Sequence, residues 1–171
     1  MPGHRVLRRL AVLLVLAGLI AAPATAAPPR PGLVVAGKRF GGLELGATRA
    51  QVRAAWGRQF GSCRGCDSPT WYFNYRRFYP QGAGVSFRDG RGVAFFTLWA
   101  PRGWRTDRGL RIGDDGTRLF VLYRLLVRVP CGTSPYFVYT MRTGNAVTAF
   151  YVRDQKVWGF GLSRPDVSPC R

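Results

Sequence analysis

The residues of this 171-residue chain that could do chemistry are few: four cysteines, two adjacent aspartates, one glutamate and one histidine. Cys63 and Cys66 stand three apart in "CRGC", whereas Cys131 and Cys170 are widely separated. The first spacing is that of a thioredoxin-type redox pair, which needs a strand before it and a helix after it. Here the order is reversed, because the segment ahead of Cys63 reads as a helix. Four sulfurs could also hold one zinc ion, but Cys131 and Cys170 lack the short spacing of a zinc knuckle. In an exported chain the favoured reading is two structural disulfides, Cys63–Cys66 and Cys131–Cys170. On the loop-entropy model the long bridge stabilises by about 4 kcal/mol and the short one by about 2 kcal/mol.

The acid–base inventory is equally short. His4 is the single histidine, and it sits in a segment expected to be removed. The remaining chain then has no imidazole, which excludes Ser-His-Asp and Cys-His catalysis, His-ligated zinc and the usual neutral-pH proton shuttle. Glu44 is the lone glutamate and reads as solvated beside a helix start. Asp114 and Asp115 could be drawn as a paired-carboxylate site, but capping of a following helix accounts for both. No glycine-rich phosphate loop is present. The chain is therefore expected to be a non-enzyme without cofactor or metal.

What must position these residues starts after the N-terminus. Arg5, Arg8 and Arg9 precede the apolar run 10–22, and "ATA" at 24–26 supplies small residues for cleavage. Residues 1–26 read as a secretory signal peptide cut after Ala26. An uncleaved anchor is the alternative, though the run is short of the about 20 residues needed to span a bilayer. Arg8-Arg9 also permits a twin-arginine reading, which nothing nearby strengthens. Formal net charge is +18, and loss of residues 1–26 removes three arginines and no acid, leaving +15. Such a charge suits a polyanion partner. The arginines are scattered rather than clustered, however, which argues against a specific nucleic-acid footprint. An attraction to anionic cell-wall polymers or lipid headgroups stays open.

A self-similarity organises the rest. Residues 42–46 ("GLELG") match 109–113 ("GLRIG"), "YFNY" at 72–75 matches "YFVY" at 136–139, and 88–98 matches 153–162. Thr48 and Gln51 form a capping box, with Val52, Ala55 and Trp56 on one helical face before Gly57 and Gly61 end the helix. Asp115 takes the cap position in the second copy, where Leu119, Leu122, Tyr123 and Leu126 recur at helical spacing before Pro130. Strands follow near 70–79, 84–88 and 91–99, then near 135–142, 146–153 and 156–162. Turns fall at "PQGAG" (80–84), Asp89-Gly90, "TGN" (143–145) and Asp154-Gln155. The expectation is an α+β tandem repeat, each unit a helix followed by an antiparallel sheet of three to four strands. Its divisions are 1–26 (signal peptide), 27–40 (lead-in), 41–104 (first unit) and 105–171 (second unit with C-terminal tail).

The segment "GLELGATRAQVRAAWG" resembles the opening of the β-lactamase inhibitory protein and BamE (SmpA/OmlA) superfamily, where a Gly-x-x-hydrophobic-Gly-x-[Ser/Thr] stretch leads helices into an antiparallel sheet. The chain departs from that pattern in lacking a lipid-bearing cysteine and in having room for one helix per unit. It also resembles uncharacterised small exported proteins of actinobacteria. The first resemblance implies tandem units with an aromatic-rich sheet face that grips a partner protein.

That face can be sketched from alternation. Trp71, Phe73 and Tyr75 read as inward, leaving Tyr72 and Arg76 outward; Val85 and Phe87 read inward, leaving Arg88 outward. Mixed Tyr and Arg on an open face is hot-spot composition. Trp104 and Arg105, in the stretch joining the units, are placed at its hinge. The sequence thus predicts a secreted, non-catalytic protein-binding module of inhibitor-like or envelope-assembly type. The alternative is an electrostatic binder of anionic cell-envelope polymers or lipids.

Overall fold

A computed structural model describes residues 32–73, 82–98, 103–132 and 134–171. The expected signal peptide, the far end of the first expected strand and Arg76 lie outside the described residues. Eleven strands and two short helices follow in chain order. They are β1 (Leu33–Val35), β2 (Arg39–Phe40), α1 (Arg49–Trp56), β3 (Phe60–Ser62), β4 (Thr70–Phe73), β5 (Gly82–Arg88) and β6 (Arg91–Leu98). The second half has β7 (Arg105–Thr106), α2 (Thr117–Leu122), β8 (Val127–Val129), β9 (Phe137–Thr143), β10 (Ala146–Arg153) and β11 (Lys156–Ser163).

The main sheet has eight strands in the order β3-β4-β5-β6-β11-β10-β9-β8, every pairing antiparallel. A small sheet, β2-β1-β7, packs beside it. This overturns the expected α+β architecture of two helix-plus-sheet units. The fold is mostly β, and the helices have only eight and six residues. The physical reason is the central pair: β6 and β11 bond along Gly159–Ser163, so neither half ends in a free inner edge. One core results. Phe95, Phe160, Phe150, Trp71 and Trp56 belong to a single buried cluster.

The two similar glycine-bracketed stretches do similar local work within this single sheet. Gly46 donates to Gly92 O and Gly92 N donates back to Ala47 O, both at 2.8 Å. Gly113 donates to Val157 O at 2.7 Å, and Val157 N donates to Asp114 O at 2.8 Å. Each stretch clamps the start of a strand just past a tight turn. Those turns form as expected: Asp89-Gly90 and Asp154-Gln155 hold positive φ at both positions, the primed geometry that matches strand twist.

The first helix keeps its capping box, with Gln51 N bonded to Thr48 Oγ1 and Thr48 N to Gln51 Oε1. Val52 and Trp56 are buried, but Ala55 is exposed, so the buried stripe is narrower than expected. The second helix is shorter than its apolar spacing implies. It ends at Leu122 because Tyr123 turns extended and Leu125 adopts a left-handed φ of 58°. Its N-cap is Gly116 rather than Asp115.

Register gives the sheet two unlike faces. One carries Phe95, Leu162 and Val85 in one cross-strand row and Tyr139, Phe150 and Phe160 in the next. Phe40 and Trp104 from outside the main sheet pack onto this face, and both belong to the core cluster. The opposite face carries a row through all eight strands: Gly61, Tyr72, Gly84, Phe96, Gly161, Ala149, Thr140 and Val127. Small residues in it leave room for the neighbouring rings. A Cβ at Gly84 would collide with the Phe96 ring, and one at Gly161 with the Tyr151 hydroxyl.

Candidate functional site

The second face is half covered by the chain's own C-terminal segment, residues 164–171. Arg164 N donates to Val93 O at 3.0 Å, and the Tyr151 hydroxyl donates to Pro169 O at 2.7 Å. Tyr136 donates through its hydroxyl to Arg171 O, and the same hydroxyl accepts from Arg171 N. The Cys131–Cys170 disulfide fastens the segment to the loop between β8 and β9. Tyr151 is fully enclosed, and this burial pushes its hydroxyl pKa up, so it stays protonated as the donor.

Cys63–Cys66 forms the second disulfide, as expected from the sequence. With all four sulfurs paired, the four-sulfur zinc reading is excluded. The redox reading fails on architecture too: "CRGC" lies in the loop between β3 and β4, with no helix after it. Among the described residues, no group of three or more metal-ligating side chains comes together.

Between the C-terminal segment and the β3–β4 loop lies a cleft of about 560 Å³. Tyr72, Phe96, Ser86 and Arg88 line its sheet side, while Asp166 and Arg171 line its other wall. Tyr72 meets Phe96 edge-to-face, with ring centroids 5.9 Å apart. The Arg171 guanidinium lies 5.2 Å from the Phe96 centroid, within cation–π range. Arg88 donates to Asp166 at 2.5 Å, and Arg164 donates to its other oxygen at 3.0 Å. The Arg88 hydrogen bond, only partly opposed by desolvation, holds that carboxyl below the ordinary aspartate range. Arg171 Nε is buried without a hydrogen-bond partner, a donor whose unmet bond costs about 1–3 kcal/mol.

The expected binding residues divide. Tyr72 and Arg88 come together in the cleft. Trp104 is only 2% exposed: its ring packs at 4.9 Å from Phe40 and 6.3 Å from Trp56, so it belongs to the core and not to an interface. Arg105 is exposed on β7, in the small sheet on the opposite side. Sequence alternation missed Phe96, Asp166 and Arg171. A signal for the last two was present in Cys170, whose bridge to Cys131 requires the tail to fold back. Nothing local marks Phe96 as cleft-facing.

Comparison with known proteins is sparse. No family model and no curated protein matches the chain. Its fold is similar to part of an extracellular protein containing an SCP domain from Bacillus anthracis, at 9% identity and a TM-score of 0.50, covering 71% of this chain and 44% of that one. A DUF4309 family protein from Bacillus subtilis aligns at 19% identity and 0.48, over 69% of this chain and 78% of that one. A cysteine-rich secretory protein from Staphylococcus aureus aligns at 12% identity and 0.44, over 81% and 49%. The chain thus spans less than half the length of the first of these. The expected membership of the β-lactamase inhibitory protein and BamE superfamily is overturned: no family model matches, and the solved structure at a TM-score of 0.50 is of another kind.

Proposed function

We propose that this is a secreted, non-catalytic protein-binding module whose interface is the cleft of Tyr72, Phe96, Arg88 and Arg171. The observation that carries this reading is the cleft's composition: two aromatic rings, two arginines and a buried donor without a partner, set on a rigid sheet. Aromatic and arginine side chains are the residues on which interface energy concentrates. Secretion is supported by the signal-peptide pattern at 1–26 and by two disulfides, which persist in oxidising compartments. Among the described residues no helix is long and apolar enough to cross a membrane.

The experiment is a pull-down from the producer's own culture with wild type and with Tyr72→Ala, washed at low and at high salt. An aromatic-centred interface survives moderate ionic strength, because desolvated apolar anchors are not screened. The expected result is a salt-resistant protein partner, captured by wild type and lost by the variant. Capture that vanishes for wild type at high salt supports charge-driven binding of envelope polyanions instead.

A further inference from the structure

At the far end of the sheet, away from the cleft, the chain displays an apolar tip. Six large hydrophobic side chains are exposed among the described residues, and five fall within positions 120–137. Phe120, Val121, Leu125, Val127 and Phe137 are all more than half exposed, Val121 at 80% and Leu125 at 92%. The last four residues of α2, Leu119 to Leu122, are all apolar, yet only Leu119 is buried in it. Leu125 occupies the turn between α2 and β8 in the left-handed region, a strained backbone conformation for a leucine. A strained leucine held almost wholly in water is poor economy for folding alone. The surrounding charge has one sign: residues 116–153 contain no Asp or Glu and five arginines. Of these, Arg118 pairs with Asp114. Arg124 and Arg128 have no acidic partner among the described residues, and Arg128 lies 4.2 Å from the Phe137 ring centroid.

We propose that this α2–β8 tip docks on an anionic lipid surface, with Val121 and Leu125 entering the headgroup boundary and Arg124 and Arg128 meeting lipid phosphates. Apolar side chains protruding from a turn and flanked by arginine match an interfacial anchor, which combines buried apolar area with attraction to anionic lipid. A second copy of the chain fits less well, because edge-to-edge docking of two such tips would bring like arginine clusters together. An added peptide strand fits less well too, because β8 offers only three residues of edge. This inference is independent of the cleft.

The test is co-sedimentation of the protein with vesicles of mixed phosphatidylglycerol and phosphatidylcholine, against phosphatidylcholine alone. Wild type is expected to bind the anionic vesicles. The double variant Val121→Gln/Leu125→Gln, unchanged in net charge, is expected to bind at least tenfold more weakly, as is Arg124→Gln/Arg128→Gln. Tyr72→Ala should bind as wild type does, which separates the tip from the cleft. Thermal unfolding checks that each variant is folded, as exposed positions allow. Equal binding by the apolar double variant, equal binding to neutral vesicles, or self-association lost in the variants without vesicle binding would overturn the proposal.

Discussion

Asp115 shows how one side chain can be read correctly for chemistry and incorrectly for place. It does not cap α2 as its N-cap residue, yet its carboxylate accepts from Thr117 N at 3.0 Å and Thr117 Oγ1 at 2.7 Å, and from Lys156 Nζ at 3.3 Å. Those bonds, the Thr117 backbone donor first, lower its pKa from 3.8 to about 2. A carboxyl depressed in the folded state contributes stability that is complete above its unfolded pKa and is lost as pH falls through the folded value. Melting temperature should therefore drop between pH 4 and pH 2, and less steeply for Asp115→Asn. An identical slope in the variant would show that these bonds do not persist in solution. Tyr151 has the opposite sign. Its raised pKa gives stability that is present below about pH 10, the ordinary tyrosine value, and lost as pH rises beyond it. Tyr151→Phe should flatten the alkaline limb of the same melting curve.

Short-range elements were the most legible. The capping box at Thr48 and Gln51, the paired-φ turns and the disulfide partners depend on residues a few positions apart or on scarce cysteines, and all formed as expected. Thr48→Ala should cost about 1 kcal/mol, the usual loss for an N-cap, measurable by denaturant unfolding. The second helix misled because residues 119–127 are nearly all apolar, and periodicity cannot show where such a run stops facing a core. Tyr123's extended backbone ends it. The tail is an element whose position rests on one covalent bond and a few hydrogen bonds. Cys131→Ser/Cys170→Ser should cost about 4 kcal/mol on the loop-entropy model. Limited proteolysis should then cut residues 164–171 before the sheet; a tail that stays protected would mean its contacts with Tyr136 and Tyr151 suffice.

At the scale of the whole molecule, what the sequence concealed is a pairing between distant strands. Matching residues 42–46 with 109–113 suggested two units, but nothing local specifies that β6 should bond to β11 and merge them into one sheet. Trp104, expected at an interface, is buried against Phe40 and Trp56, and the β4-β5-β6 register places Phe96 beside Tyr72 across Gly84. Outward alternation at Tyr72 and Arg88 was legible because a strand's period of two does not depend on its partners. The cleft they share was not, because its other wall comes from residues 164–171. The most direct test of this site is amide hydrogen exchange on the captured complex against the protein alone. The expected result is new protection in β4, β5 and the 164–171 segment, with β1, β2 and β7 unchanged. Protection confined to the small sheet, or none in the cleft strands while the partner stays bound, would contradict it.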